Sequence, residues 1–426
     1  MSDVTPTTGT TPTTGTTPTT GVVLGGGGAR GAYEVGVMAG LVKVLGLMPR
    51  DLAPFRVFAG TSVGAINATF LAANAHRGDM DIEKLVRLWQ TLEIDRHLRV
   101  DVMGFLGLNA PRLPFRKKDT GPKARFGHHF LDPTRLEALV QDGIDWRILH
   151  ENVRRNDVHA LIVAALHVGT GRTTMFAELS PSADFRPSGD PRRVARMETI
   201  TSDHVLGSAA IPMVFPARRV GMGYYCDGGI RFNTPIAPAI RAGAERLVVV
   251  SLLRQPVEGD VVPAAQPEVR RYPHPAFLIG KIMNALLLDP VAYDLYVLDR
   301  FNKLLEVLED THTPTQMARM NKMLVKERGI SYRRIEHLVF TPSQDIGLLA
   351  NAHLRESAQG GIAERLRYWA LGFAGDTDAT WEADLASYVL FDGRFAAKLI
   401  ALGRRDVEAR AEEVQTFFKN PPPKPS

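Results

Sequence analysis

Cysteine is almost missing from this 426-residue chain: Cys226 stands alone. A single cysteine excludes an internal disulfide and any CxxC metal site, and it leaves the redox compartment open. Long hydrophobic runs are missing too. The longest candidate, residues 35–48, is cut by Lys43 and by glycines. No stretch reaches the roughly 20 apolar residues that span a bilayer. The N-terminus lacks a basic-then-apolar leader, so the expected location is the cytoplasm or the periphery of a membrane. Charge of one sign is also in short supply. The 51 Lys and Arg against 46 Asp and Glu leave +5, which argues against a wholesale nucleic-acid binder. There is no heptad array, and nothing in the sequence sets an oligomeric state.

What is present is the balance of an ordinary globular protein, with 45% apolar residues, and length enough for one large domain with additions or for two. Residues 1–20 repeat Thr-Pro-Thr-Thr-Gly. With almost nothing apolar to bury, they are expected to be a disordered tail. Residues 421–426, Pro-Pro-Pro-Lys-Pro-Ser, are expected to be a second one.

The stretch around which the chain is organised is 55–75. An apolar, β-branched run ends at Gly60, and a small-residue helix pattern begins just after Ser62. Between them lies G-x-S-x-G: Gly60, Thr61, Ser62, Val63, Gly64. A strand turning sharply into a helix strains the residue at the corner and leaves a serine hydroxyl uncovered. The helix N-terminus adds free N–H groups and partial positive charge.

Upstream, the strand-like Gly21-Val-Val-Leu24 runs into Gly25-Gly26-Gly27-Gly28-Ala29-Arg30-Gly31 and then a helix pattern from Ala32. Bare backbone N–H groups at a helix N-terminus make an anion-binding concavity. Two chemistries use one. Gly26-x-Gly28-x-x-Gly31 satisfies the dinucleotide fingerprint, and the same N–H groups can form an oxyanion hole. The dinucleotide reading wants an acid some 20 residues on, at a strand end. Asp51 is near that distance, but it follows Pro49-Arg50 in a loop. No P-loop Lys-Ser/Thr pair follows the glycines.

Further on, residues 80–92 read as an amphipathic helix. Residues 96–129 are irregular and basic, with Arg112, Arg116, Lys117, Lys118, Lys123 and Arg125 against Asp119. That stretch is either a solvated loop or a flap or patch drawn to anionic head groups. A helix is expected at 132–142, a hairpin from 159–167 and 172–177, a short helix at 201–210, and a strand at 246–252. Tyr224-Tyr225-Cys226-Asp227-Gly228-Gly229 places a carboxylate at a strand end. The alternation argues for a mostly parallel α/β sheet. From 265 to 420 the pattern is mainly helical: 275–309 broken near Asp289-Pro290, then 314–328, 352–373, 379–391, 394–402 and 405–418. One strand-like run, 337–340, interrupts it. His128-His129 and His204 are read as loop and structural residues, although twelve histidines leave a histidine-based triad open.

Three elements in order, the glycine loop (Gly26-Gly27-Gly28-Ala29-Arg30-Gly31), the elbow (Gly60-Thr61-Ser62-Val63-Gly64) and Asp227-Gly228-Gly229, resemble the patatin-like phospholipase family. Ser208-Ala209-Ala210-Ile211-Pro212 with Phe215-Pro216 matches the family's block ahead of the aspartate. The resemblance covers about residues 20–250. It implies a three-layer α/β/α fold with a patatin-like catalytic region at 21–260, and a serine acyl hydrolase of lipid or phospholipid esters. It also implies a Ser62–Asp227 dyad without histidine, an oxyanion hole near Gly27 and Gly28, and no metal or other cofactor. The alternatives are a thioesterase or small-ester hydrolase on the same fold, a phosphate-binding module built on the glycine loop, and a catalytically silent membrane-binding scaffold. Arg30 is expected to fix the glycine loop or to meet a phosphate head group.

Overall fold

The computed structural model describes residues 19–92, 99–100, 131–132, 134–212, 215–255, 275–328, 331–358 and 384–420. The expected tails before residue 19 and after 420 lie outside these residues. So do Arg112, Arg116, Lys117, Lys118, Lys123, Arg125 and His128-His129.

The frame is a nine-stranded sheet. Its main path runs β11 (Glu336–Phe340), β10 (Arg246–Val250), β1 (Thr20–Leu24), β2 (Val57–Thr61), β5 (Ala160–His167), β6 (Thr173–Leu179) and β7 (Arg193–Met197). β8 (Arg218–Val220) and β9 (Gly223–Asp227) attach beside β5. Pairing is parallel from β11 through β5 and again between β6 and β7; it is antiparallel at β5–β6, β5–β9 and β8–β9. Two short segments, β3 (Arg99–Val100) and β4 (Leu131–Asp132), pair separately.

β1, β2 and β10 are buried along their whole length. Continuous apolar runs such as Leu247-Val-Val-Val250 suit strands covered on both faces. Alternate side chains feed two cores. Val22, Leu24, Phe58, Val248 and Val250 pack with the helices α1 (Ala32–Leu45), α2 (Val63–Ala73) and α3 (Ile82–Gln90). Val23, Val57, Ala59, Leu247 and Val249 pack with the helices Ile236–Arg241 and Asp289–Thr311. The result is helix on sheet on helix.

The region after 265 is helical as expected, and it is woven into this frame. β11 extends the sheet in parallel with β10. The Gly393–Glu408 helix lies along α1 so closely that a Cβ on Gly403 would come within 2.5 Å of the Tyr33 carbonyl oxygen. That contact explains one difference from expectation. The expected break between 402 and 405 falls at Gly403, yet the helix runs straight through it to Glu408, because glycine there lets two backbones touch. The helix expected at 352 begins instead at Ile346, where Asp345 accepts the Leu348 amide at 2.8 Å as an N-cap. β1 starts at Thr20, a residue earlier than expected. β7 and β8 are edge strands with little apolar alternation, and nothing in their composition announces them.

Candidate active site

The G-x-S-x-G turn forms between β2 and α2, and Ser62 sits at the corner with φ 56° and ψ −130°. A positive φ costs a serine of the order of 1–3 kcal/mol, so the surroundings must hold it. They do so through close backbone contacts. A Cβ on Gly60 would lie 2.3 Å from the Gly64 oxygen, and one on Gly64 would lie 2.4 Å from the Leu24 oxygen. Thr61 is tied by its hydroxyl to the Phe232 carbonyl at 3.3 Å. Val63 opens α2 and lines the cleft described below.

Ser62 Oγ donates to Asp227 Oδ2 at 2.6 Å. Asp227 is the last residue of β9, and its Oδ1 accepts the Gly229 amide at 2.7 Å, across the short 3-10 turn Gly228–Ile230. Both side chains are buried. Burial pushes the Asp227 carboxyl up to about 6, against the pull of the Ser62 hydroxyl and the Gly229 amide. A carboxyl poised there can both take and return a proton near neutral pH.

The glycine loop comes over the same hydroxyl. A Cβ on Gly26 would sit 2.9 Å from Ser62 Cβ. Asn233 grips Gly26 on both sides, accepting its amide at 2.6 Å and donating to its carbonyl at 3.1 Å. Gly27 leads into a 3-10 turn, Gly28–Gly31, whose Ala29 is buried, and the Gly27 carbonyl accepts from the Arg30 amide at 3.2 Å. Asn67 Nδ2 donates to the Gly31 carbonyl at 3.1 Å. Arg30 is buried and paired with Asp384.

Two partners were not read from sequence. One is Asn233. The other is the Ser208 hydroxyl, which accepts the Ser62 amide at 2.8 Å and donates to the Ala164 carbonyl at 2.6 Å. The Asp227 amide donates to the Ala210 carbonyl at 2.9 Å. The block before the aspartate thus holds the backbone amide of each residue of the pair. The only sequence signal for Asn233 is an amide six residues beyond Asp227.

A cleft is lined by Ser62 and Gly28. Its walls are Ile66 and Phe70 of α2, Leu85, Leu88 and Trp89 of α3, then Val140, Ile211, Phe215 and Phe391. Such a lining suits a hydrocarbon chain, with polar groups only at one end. The other expectations resolve by contact. Asp51, needed by the dinucleotide reading, closes its own turn by accepting the Met48 amide at 2.7 Å. His204 closes the Ser202–Ser208 helix, accepting the Thr201 amide at 3.0 Å through Nδ1. Cys226 is a buried thiol, pushed up to about 11 by burial and by Asp227. Among the described residues no group of three or more His, Cys, Asp or Glu could hold a metal ion, and no helix is long and apolar enough to cross a membrane.

The patatin-like phospholipase family model matches residues 22–240, and the chain belongs to that family. It is therefore a phospholipase- or esterase-type enzyme whose substrates are lipid esters. No curated protein matches the chain. Among solved structures it is similar to VipD from Legionella pneumophila, at 13% identity and a TM-score of 0.29, covering 95% of this chain and 75% of that one. It is also similar to human GIVD cytosolic phospholipase A2 in complex with methyl gamma-linolenyl fluorophosphonate, at 14% identity and a TM-score of 0.34, covering 95% of this chain and 59% of that one.

Proposed function

We propose that the protein is a serine acyl hydrolase of the phospholipase A or lysophospholipase type, with Ser62 as nucleophile and Asp227 as its general base. Asp227 takes the hydroxyl proton as Ser62 Oγ attacks the ester carbonyl carbon. The Gly27 and Gly28 amides stabilise the tetrahedral oxyanion. The bond to the leaving alcohol breaks, and Asp227 returns its proton to that alkoxide. A water then attacks the acyl-serine carbonyl as Asp227 accepts its proton, the bond from the acyl carbon to Ser62 Oγ breaks, Asp227 returns the proton to Oγ, and the fatty acid leaves. The cleft beside Ser62 takes the acyl chain. The cationic stretch 112–125 supports contact with an anionic membrane surface, where such substrates reside.

The observation that supports this most is the 2.6 Å hydrogen bond between two buried side chains, at the mouth of an apolar cleft. The test is covalent labelling by a fluorophosphonate, with release of fatty acid from phospholipid vesicles. Labelling at Ser62, lost in Ser62→Ala and Asp227→Asn together with hydrolysis, is the expected result. An unlabelled wild type that hydrolyses no ester would overturn the reading.

A further inference from the structure

Four consecutive glycines form the most flexible backbone a chain can have, yet oxyanion donors must be held in place before charge develops. Asn233 holds one end of the run at Gly26. The other end is held from the far C-terminal region, by the short helix Asp384–Val389. Arg30 Nε donates to Ser387 Oγ at 2.7 Å, and Ser387 Oγ donates in turn to the Asp384 carbonyl at 2.5 Å. Arg30 Nη2 meets Asp384 Oδ1 at 3.0 Å, with both side chains 3% exposed. The guanidinium lies 4.4 Å from the centre of the Tyr388 ring. Gly28, at φ +57°, backs onto the same helix, where a Cβ would come within 2.1 Å of the Tyr388 carbonyl oxygen.

The clamp is itself braced. Lys281 Nζ lies 2.9 Å from Asp384 Oδ2, and the Tyr388 hydroxyl donates to Asn284 Oδ1 at 2.8 Å. Burial raises the Asp384 carboxyl, but Asn284, Lys281 and Arg30 outweigh it and hold the group below the usual carboxylate range. It is an anion facing a fixed cation. Two residues past the helix, Phe391 lines the cleft and stacks on Trp89, ring centres 6.3 Å apart. One segment therefore touches both the donor loop and the cleft wall.

We propose that Asp384 is a positioning residue for ester hydrolysis: through Arg30, and through the Tyr388 carbonyl against Gly28, its helix holds the Gly27 and Gly28 amides where the oxyanion forms. This rests on the hydrolase reading above. The region after residue 265, which the family match does not cover, thereby contributes to the chemistry as well as to the fold.

The experiment uses the full chain with a p-nitrophenyl ester and a fluorophosphonate, comparing wild type, Asp384→Asn, Arg30→Gln and the double variant. Glu336→Gln is the control, because it removes the charge from the Arg246–Glu336 pair on the sheet edge, where Arg246 is buried and Glu336 half-buried. Asp384→Asn is expected to lower kcat and the labelling rate roughly 10–100-fold, as a displacement of about 1 Å in a catalytic group does. KM should stay within about twofold. The double variant should be no worse than the poorer single one, since both break one link. The idea is overturned if Asp384→Asn keeps its kcat, if the two losses multiply, or if Glu336→Gln at an equal loss of Tm loses as much activity. Should Asp384→Asn not fold, Ser387→Ala carries the test; a kcat equal to wild type would then overturn the idea. A wild type that is never labelled at Ser62 marks failure of the hydrolase reading itself.

Discussion

Thr61 and Asp227 stand on consecutive rungs of one edge of β5, opposite Ala164 and Ala165 respectively. β2 runs parallel to β5 and leaves the edge after Thr61. β9 runs antiparallel along the same edge and ends at Asp227. The two strands therefore meet head to head, and the residue that follows Thr61 is brought against the residue that ends β9. No loop has to carry either group into place.

The pH dependence follows from Asp227. Its carboxyl, pushed up to about 6 by burial, must be ionised to accept a proton, so hydrolysis should rise with pH through about 6 and then level off. Stability should run the other way. The folded state holds this proton more tightly than the unfolded chain, where the group titrates near 3.8. Its stabilising contribution is complete below about pH 4 and lost by about pH 6, a change on the order of 3 kcal/mol. Asp227→Asn should be inactive, and at neutral pH more stable than wild type, with the difference shrinking towards pH 4. Urea melts across that range and ester assays check both; an active Asn variant would refute the role.

Ser208→Ala should weaken fold and chemistry together. It leaves the buried Ser62 amide and Ala164 carbonyl without the hydroxyl that joins them. The cost of such orphaned groups is about 1–3 kcal/mol. Denaturant melts should show that loss, and kcat should fall more than KM changes. Unaltered kcat with lowered stability would confine Ser208 to the fold.

Gly64→Ala should fail more severely than a one-methyl change normally does. The added carbon would meet the Leu24 and Gly25 carbonyl oxygens at 2.4 and 2.5 Å, and both belong to the backbone. A loss of about 3 kcal/mol or more is expected, read as soluble yield or melting temperature. A variant as stable as wild type would show that the elbow is looser than described.

Leu88→Trp should shorten the apolar cleft that this side chain lines. Fluorophosphonate labelling should persist, while kcat/KM for a long-chain ester falls roughly tenfold or more relative to a butyrate ester. Equal losses on both esters would mean that the acyl chain lies elsewhere.

The parts of the site legible in the sequence are those where a local backbone requirement dictates the residue. The elbow needs glycine at 60 and 64 because backbone atoms crowd them. The glycine loop shows as a glycine run before a helix, and Asp227 shows as a carboxylate closing a strand. The partners that hold these pieces were not legible. Asn233 reaches Gly26 across 207 positions and Asp384 reaches Arg30 across 354, and neither has a local pattern to mark it. The break expected between 402 and 405 is absent for the same reason: only the contact of Gly403 with α1 shows why the helix continues.

By itself, then, the sequence determined which backbone turns could exist and which side chains they would carry, because φ/ψ sterics and apolar periodicity act over a few residues. Tertiary structure alone decided that Thr61 and Asp227 share one edge of β5, so that the Ser62 hydroxyl meets the Asp227 carboxylate, and that a helix from the chain's far end closes on the glycine loop. Strand pairing and burial join residues irrespective of their separation along the chain, and the energy of those contacts depends on what is packed beside them.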